Sequence, residues 1–175
     1  PWTRWLGLAA LVLVIFQGVL GGMRVLLQER TLAMLHGCTG PLFLAVTVAI
    51  VVLTSARWRD GASKVTVSHV PSSSSAAAIR RLAAATCILV YLQIVIGAVL
   101  RHVPVAAEPG AFAHAVRFHL FLAAIVTLHA VGLIWLVLSR ARSIKPLAGL
   151  SVILSLLIIT QLALGAATWI VKFSV

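Results

Sequence analysis

Five long apolar runs leave this chain few folds to adopt. They cover residues 5–27, 32–56, 82–102, 114–139 and 146–170. Each is long enough to cross about 30 Å of hydrocarbon as a single helix. The runs are continuously apolar, whereas the strands of a membrane β-barrel alternate between apolar and polar residues. The sequence therefore predicts an all-α polytopic membrane protein with five transmembrane helices in a lipid bilayer.

The composition excludes several classes of function. Of the 175 residues 62% are hydrophobic, and the net charge is +11. The basic residues fall in loops and at helix ends, so they form no stripe that would follow nucleic acid. The three acidic residues all lie outside the apolar runs, which excludes a carboxylate pair within the membrane: Glu29, Asp60 and Glu108. No CxxCH, Walker or dinucleotide-binding motif is present.

The distribution of Lys and Arg predicts the orientation in the membrane. Nine of these residues fall on one side of the five runs and five on the other. The positive-inside rule places the richer side in the cytoplasm or an organelle matrix. Residues 57–81, which include a four-serine run, are then a cytoplasmic linker, and residues 103–113 face outward. We interpret the linker as a boundary: residues 1–56 form one part, and residues 82–175 form another.

Three of the predicted helices share a glutamine followed four residues later by a glycine. The pairs are Gln17 with Gly21, Gln93 with Gly97, and Gln161 with Gly165. Four residues is about one helical turn, so each pair lies on one face. Helix packing alone explains a single such pair. Three pairs, all on odd-numbered spans, favour a duplicated unit of two helices, in which glycine admits either a neighbouring helix or a flat ligand.

The even-numbered spans carry histidines. His36 and His119 lie at similar positions near the outer ends of the second and fourth spans. A histidine in hydrocarbon usually serves as a metal ligand, a proton relay or a hydrogen-bond anchor. His129 lies about 15 Å deeper than His119 and is turned roughly 80° around the helix, so we expect an interior hydrogen bond there. His69, His102 and His114 are predicted to be solvated loop residues, although His102 and His114 bracket the outer loop.

These residue types together suit non-covalently bound haem. Imidazole nitrogens of His36 and His119 would bind iron, and Gly21 and Gly97, beside Gln17 and Gln93, would admit the porphyrin ring. Arg24 and Arg101, near the outer surface, would neutralise haem propionates. The sequence therefore predicts His36 and His119 as metal ligands and the other six residues as cofactor-binding.

Several stretches resemble the haem A synthase family, which converts haem O to haem A during cytochrome oxidase assembly. They are FQGVLGGMRVL followed by LHGCTGPLFLA, YLQIVIGAVLRH followed by RFHLFLAA, and QLALGAATWIVK. The resemblance implies eight spans in two similar four-helix halves, of which the third to the seventh are present here. It further implies one histidine of each haem-ligand pair at His36 and His119, with the second ligand of each pair outside this sequence.

What the resemblance implies about function follows the family. The cofactor would be haem b, with haem O as substrate and haem A as product. Haem O synthase and an electron donor would be partners, and the location would be a bacterial cell membrane or the mitochondrial inner membrane. We also expect the native chain to continue past Val175 into a further span with a histidine, because each earlier glutamine–glycine helix is followed by a histidine helix.

Two other functions agree with the same residues. One is a b-type cytochrome subunit that transfers electrons without modifying haem. The other is a permease built from repeats, with the glutamines lining a path. The sequence is compatible with a homo-oligomer in each case.

Overall fold

The computed structural model describes residues 2–56, 72–102 and 108–173, and in these residues the chain forms five α-helices. They are α1 Trp2–Leu27, α2 Arg30–Thr54, α3 Ser73–Arg101, α4 Pro109–Arg140 and α5 Lys145–Phe173. Each helix contains an 18-residue window with a mean hydropathy between 2.1 and 2.4, and each is long enough to cross a membrane. The prediction of an all-α polytopic membrane protein is confirmed.

A very short turn joins α1 to α2. Only Gln28 and Glu29 lie between the two helices, and Gln28 has a φ of 52°. This left-handed conformation costs a residue with a side chain about 1–2 kcal/mol. Ala33 donates its backbone N–H to the Glu29 carbonyl at 3.1 Å, which closes the first turn of α2. The short turn makes α1 and α2 packed neighbours.

Helix α3 begins nine residues earlier than the predicted start at residue 82. Ser72 caps it: the Ser75 N–H donates to the Ser72 hydroxyl at 3.3 Å, and the Ala76 N–H donates to the Ser72 carbonyl at 2.9 Å. Serine is a preferred N-cap residue, and the three alanines that follow favour helix. The serine-rich end of the predicted linker is therefore helical, which corrects our interpretation of residues 73–81. Residues 57–71, including His69, lie outside the described residues.

The chain divides into two compact units. The first consists of Pro1–Val65 and Leu92–His119, so it contains α1, α2, the second part of α3 and the first part of α4. Gln17, Leu20 and Cys38 are its buried residues among those described. The predicted division of the chain at residues 57–81 stays a prediction.

The second unit consists of Thr66–Tyr91 and Leu120–Val175. One stripe of α4 is buried in this unit. Its members recur at the helical period, so they lie on one face of the helix. The members of this stripe are Leu122, Ala130, Val137 and, just after the helix, Ala141. Thr86 on α3 and Ser151 on α5 are also buried. A Cβ on Gly132 would lie 3.8 Å from Leu82 Cδ2, so α3 and α4 are in ordinary van der Waals contact there.

Candidate functional site

Helices α1 and α2 bring together Gln17, Gly21, His36 and Thr39, which we call module 1. Gln17 is buried, and its amide nitrogen Nε2 donates to the His36 carbonyl at 3.3 Å and to the Thr39 hydroxyl oxygen at 2.5 Å. The Thr39 hydroxyl in turn donates to the Leu35 carbonyl at 2.8 Å. Because an amide in hydrocarbon is costly without partners, these bonds fix α1 against α2 at this level.

Gly21 makes room for the imidazole of His36. A Cβ built on Gly21 would lie 3.2 Å from Cε1 and 3.5 Å from Nδ1 of His36. Contacts of 3.2 Å are shorter than nearly all real Cβ contacts, so an alanine here would force the ring to shift. The space beside Gly21 is occupied by the imidazole of the neighbouring helix.

Helices α3 and α4 repeat this arrangement with Gln93, Gly97 and His119, which we call module 2. The Gln93 amide nitrogen lies 3.1 Å from the His119 carbonyl oxygen and 3.1 Å from the ring nitrogen Nε2 of His119. A Cβ on Gly97 would lie 3.2 Å from His119 Cε1, the same distance as at Gly21 and His36. In both modules, within the first compact unit, the glutamine thus binds the histidine carbonyl and the glycine lies against the histidine ring.

Unpartnered polar atoms are concentrated in these two modules. In the described part of the chain, the buried side-chain nitrogen or oxygen atoms without a hydrogen-bond partner are His36 Nδ1, His119 Nδ1 and Gln93 Oε1. Leaving such an atom unpaired costs about 1–3 kcal/mol. Most buried polar groups in folded proteins are paired, so a cluster of unpaired ones at two equivalent places calls for a functional explanation. Each module offers a histidine ring in which one nitrogen remains unpaired.

An open cleft of about 360 Å³ lies where α1 ends, α2 begins and α3 ends, within the first compact unit. Its charged or titratable lining residues are Arg24, Glu29, Arg30 and His102. Arg24 follows Gly21 by three residues, about 4.5 Å along the helix axis. Arg101, the other predicted propionate partner, is exposed and does not line this cleft. The cleft carries two cationic guanidinium groups against one carboxylate, so it suits an anionic group.

The remaining candidates are the third glutamine–glycine pair and two further histidines. Gln161 and Gly165 are exposed, as is every residue from 159 to 171, and a Cβ on Gly165 would meet nothing within 4 Å. His129 Nδ1 donates to the Ile125 carbonyl of its own helix at 2.9 Å, so the interior hydrogen bond that we predicted is present. His114 Nδ1 does the same with the Gly110 carbonyl at 2.7 Å.

Three contributors to these sites were not predicted from the sequence. Thr39 was overlooked, although it follows His36 by three residues and therefore shares its helix face. Arg30 and His102 line the cleft with Arg24, but they are far apart in sequence and only the packing of the unit brings them together. For Thr39, the signal was the hydroxyl one turn after the histidine.

No protein-family model matches the chain, and neither the curated proteins nor the solved structures contain a match. The resemblance to haem A synthase stays a prediction from the quoted sequence stretches.

Proposed function

We propose that this chain forms the haem-binding part of a membrane oxidoreductase of the haem A synthase type. The observation that carries the proposal is the pair of equivalent half-buried imidazoles, each with a buried Nδ1 that lacks a hydrogen-bond partner. Histidine imidazole is a common axial ligand of haem iron in proteins. Both imidazoles occur beside a glutamine–glycine helix in the same arrangement, which suits two haems handled by a duplicated unit.

The residues present fit non-covalent haem. His36 and His119 would each hold one iron, while Gln17 and Gln93 fix the backbone that carries each histidine. Arg24 and Arg30 in the outer cleft would pair with propionates. When bound, haem supplies the redox chemistry, with haem O as the substrate whose ring methyl becomes the formyl group of haem A. The chain's own contribution is to bind, to orient and to exclude water.

The test uses the chain in lipid, loaded with haem, and its two histidine variants. His36→Ala and His119→Ala should each remove a different haem signal, because each module has its own imidazole. This chain supplies one imidazole to each haem, so each variant should lose the haem of its own module, and optical and electron paramagnetic resonance spectra should lose that haem's signal. The loss of the same single signal in both variants would contradict the two-site assignment.

His129→Ala is the matched control on α4. Its ring is tied to the Ile125 carbonyl of its own helix, and it lies about 15 Å along the helix from His119. Both haem signals should therefore survive this change. If His129→Ala removes a haem and His119→Ala does not, His119 is not the ligand.

The mass of the extracted haem separates haem modification from electron transfer alone. A protein that oxidises the ring methyl of haem O should yield haem A after turnover in membranes that contain haem O. Only protohaem in the extract would instead favour the b-type cytochrome.

A further inference from the structure

The two modules differ at one position of the histidine helix. The residue three positions after the histidine is Thr39 in module 1 and Leu122 in module 2. Positions three apart share a face of a helix, so both residues lie beside their histidine. In each module a glutamine amide brings two N–H donors to the same level of the partner helix. Whether this residue is threonine or leucine determines which group accepts the second N–H of the glutamine.

In module 1 the second donor binds a hydroxyl. Thr39 donates its own hydrogen to the Leu35 carbonyl, so its oxygen remains free to accept from Gln17. The other amide hydrogen of Gln17 goes to the His36 carbonyl. Both donors are therefore used, and within the described residues the ring of His36 has no hydrogen bond.

In module 2 no hydroxyl follows the histidine. The two donors of Gln93 go to the His119 carbonyl and to Nε2 of the His119 ring, each at 3.1 Å. The carbonyl fixes the orientation of the amide, because turning it over would set the amide oxygen against the carbonyl oxygen. Nε2 of His119 is then the acceptor, and the lone pair that a ligand would need is occupied.

We propose that Thr39 and Leu122 decide which imidazole is free to take a ligand. Thr39 accepts the second N–H of Gln17, so the imidazole ring of His36 in module 1 has no hydrogen bond to the described residues. Leu122 has no hydroxyl to accept that N–H, so Gln93 stays hydrogen-bonded to the His119 ring. A ligand must displace this hydrogen bond before it binds to the ring in module 2. The part of this proposal that concerns haem rests on the function proposed above, and the part that concerns hydrogen bonding does not. Hemin should bind at His36 about two- to tenfold more tightly than at His119.

The experiment measures imidazole ¹⁵N chemical shifts of the full chain in lipid nanodiscs without haem. These shifts distinguish a free ring nitrogen from one that accepts a hydrogen bond. Thr39→Val removes the competing hydroxyl and should move the His36 signal to a hydrogen-bonded value. Leu122→Thr places a hydroxyl at the position that Thr39 holds in module 1, and it should release the His119 signal. Thr39→Ser keeps the hydroxyl and should leave His36 as it is.

Thr160→Val is the matched control. Its hydroxyl bonds only to the Leu156 carbonyl of α5, the same four-residue contact that Thr39 makes with Leu35. This variant should leave both histidine signals unchanged. If Thr39→Val does not fold, Leu122→Thr tests the same assignment from the other module. Histidine signals that stay fixed in both variants, with the protein folded, would overturn the proposal.

Hemin titration of the same variants tests the part of the proposal that concerns haem separately from the part that concerns hydrogen bonding. In Thr39→Val the two sites should bind hemin with similar affinity. In Leu122→Thr the affinity of the His119 site for hemin should increase. If the ¹⁵N shifts move as expected while hemin binds neither site, the role of Thr39 and Leu122 in hydrogen bonding stands and the haem function fails. An affinity difference that survives both substitutions would overturn their control of ligand binding.

Discussion

At Gly21 and Gly97 a missing side chain lets an imidazole lie against the backbone of the neighbouring helix. Cε1 of His36 and Cε1 of His119 both occupy the space next to a glycine, at 3.2 Å from where a Cβ would stand. The histidine position is therefore set from two directions, by the glutamine at its backbone carbonyl and by the glycine at its ring. A ligand on either ring would inherit that fixed geometry.

Alanine at these glycines should push the imidazole aside. We expect Gly21→Ala and Gly97→Ala to lower the free energy of unfolding by about 1–3 kcal/mol relative to alanine at a glycine that has free space around it. The added methyl group would overpack the contact with the imidazole. Each should also shift the spectrum of the haem in its own module. Stability is measured by denaturant titration in mixed micelles, and ligation by optical spectroscopy.

Two other glycines provide matched controls for these variants. Gly22 lies beside Gly21 on α1, and Gly165 holds the same place in the third glutamine–glycine pair, but a Cβ on either would meet nothing within 4 Å. Gly22→Ala and Gly165→Ala should be neutral or stabilising by up to about 1 kcal/mol, since alanine favours helix. Equal losses at all four glycines would mean that the imidazole contact is not what matters.

The glutamine, glycine and histidine of each module could be predicted from the sequence, but their contacts and the part played by Thr39 could not. The repeated spacing of Gln17 with Gly21 and Gln93 with Gly97 singled out the right helix faces. The function of the glycine depends on whether an imidazole or a ligand fills the gap, and spacing is the same in either case. Thr39 was not predicted because its importance lies in accepting an N–H of Gln17, which depends on how α1 packs against α2.

Among the helices, α3 shows where sequence patterns mislead. A run of serines suggested a linker, yet the helix begins at Ser73 because Ser72 offers its hydroxyl to the Ser75 N–H. Apolar length predicted the five helices correctly, because a helix that crosses the hydrocarbon needs about 20 apolar residues. The polar ends follow capping and local helix propensity instead, and these vary with single residues.

The cap at Ser72 predicts a local effect. Ser72→Ala should loosen the first turn of α3 by about 1 kcal/mol, because the Ser75 N–H loses its side-chain acceptor. Amide hydrogen exchange at residues 74–76 should accelerate, while exchange deeper in α3 should stay unchanged. Ser73→Ala, in the same turn, is the control: the Ser72 hydroxyl keeps its bond to the Ser75 N–H, so exchange should stay slow. Identical exchange in the two variants would show that Ser72 does not cap the helix.

At the scale of the whole molecule, charge predicts which end of each helix faces the cytoplasm. The start of α3 should face inward and the start of α4 outward. The larger set of Lys and Arg residues lies at the membrane face where α3 starts. Ser73 and Ala111 are exposed at these two helix starts. In a chain with Cys38 and Cys87 replaced by alanine, Ala111→Cys should react with an impermeant maleimide added outside intact cells. Ser73→Cys should react only after the membrane is opened, and outside labelling at both positions would overturn the orientation.

The two-residue turn between α1 and α2 has a consequence for how the protein enters the membrane. Alone in lipid, α1 would carry the amide of Gln17 without partners, at a cost of about 2–7 kcal/mol. Its acceptors are the His36 carbonyl and Thr39, and α2 is synthesised within a few seconds of α1 at about 5–20 residues per second. We expect the insertion machinery to retain α1 until α2 arrives and then to release both as one hairpin. Crosslinking of ribosome-bound chains to the translocon should persist when α1 alone has emerged, and Gln17→Leu should allow α1 to leave early.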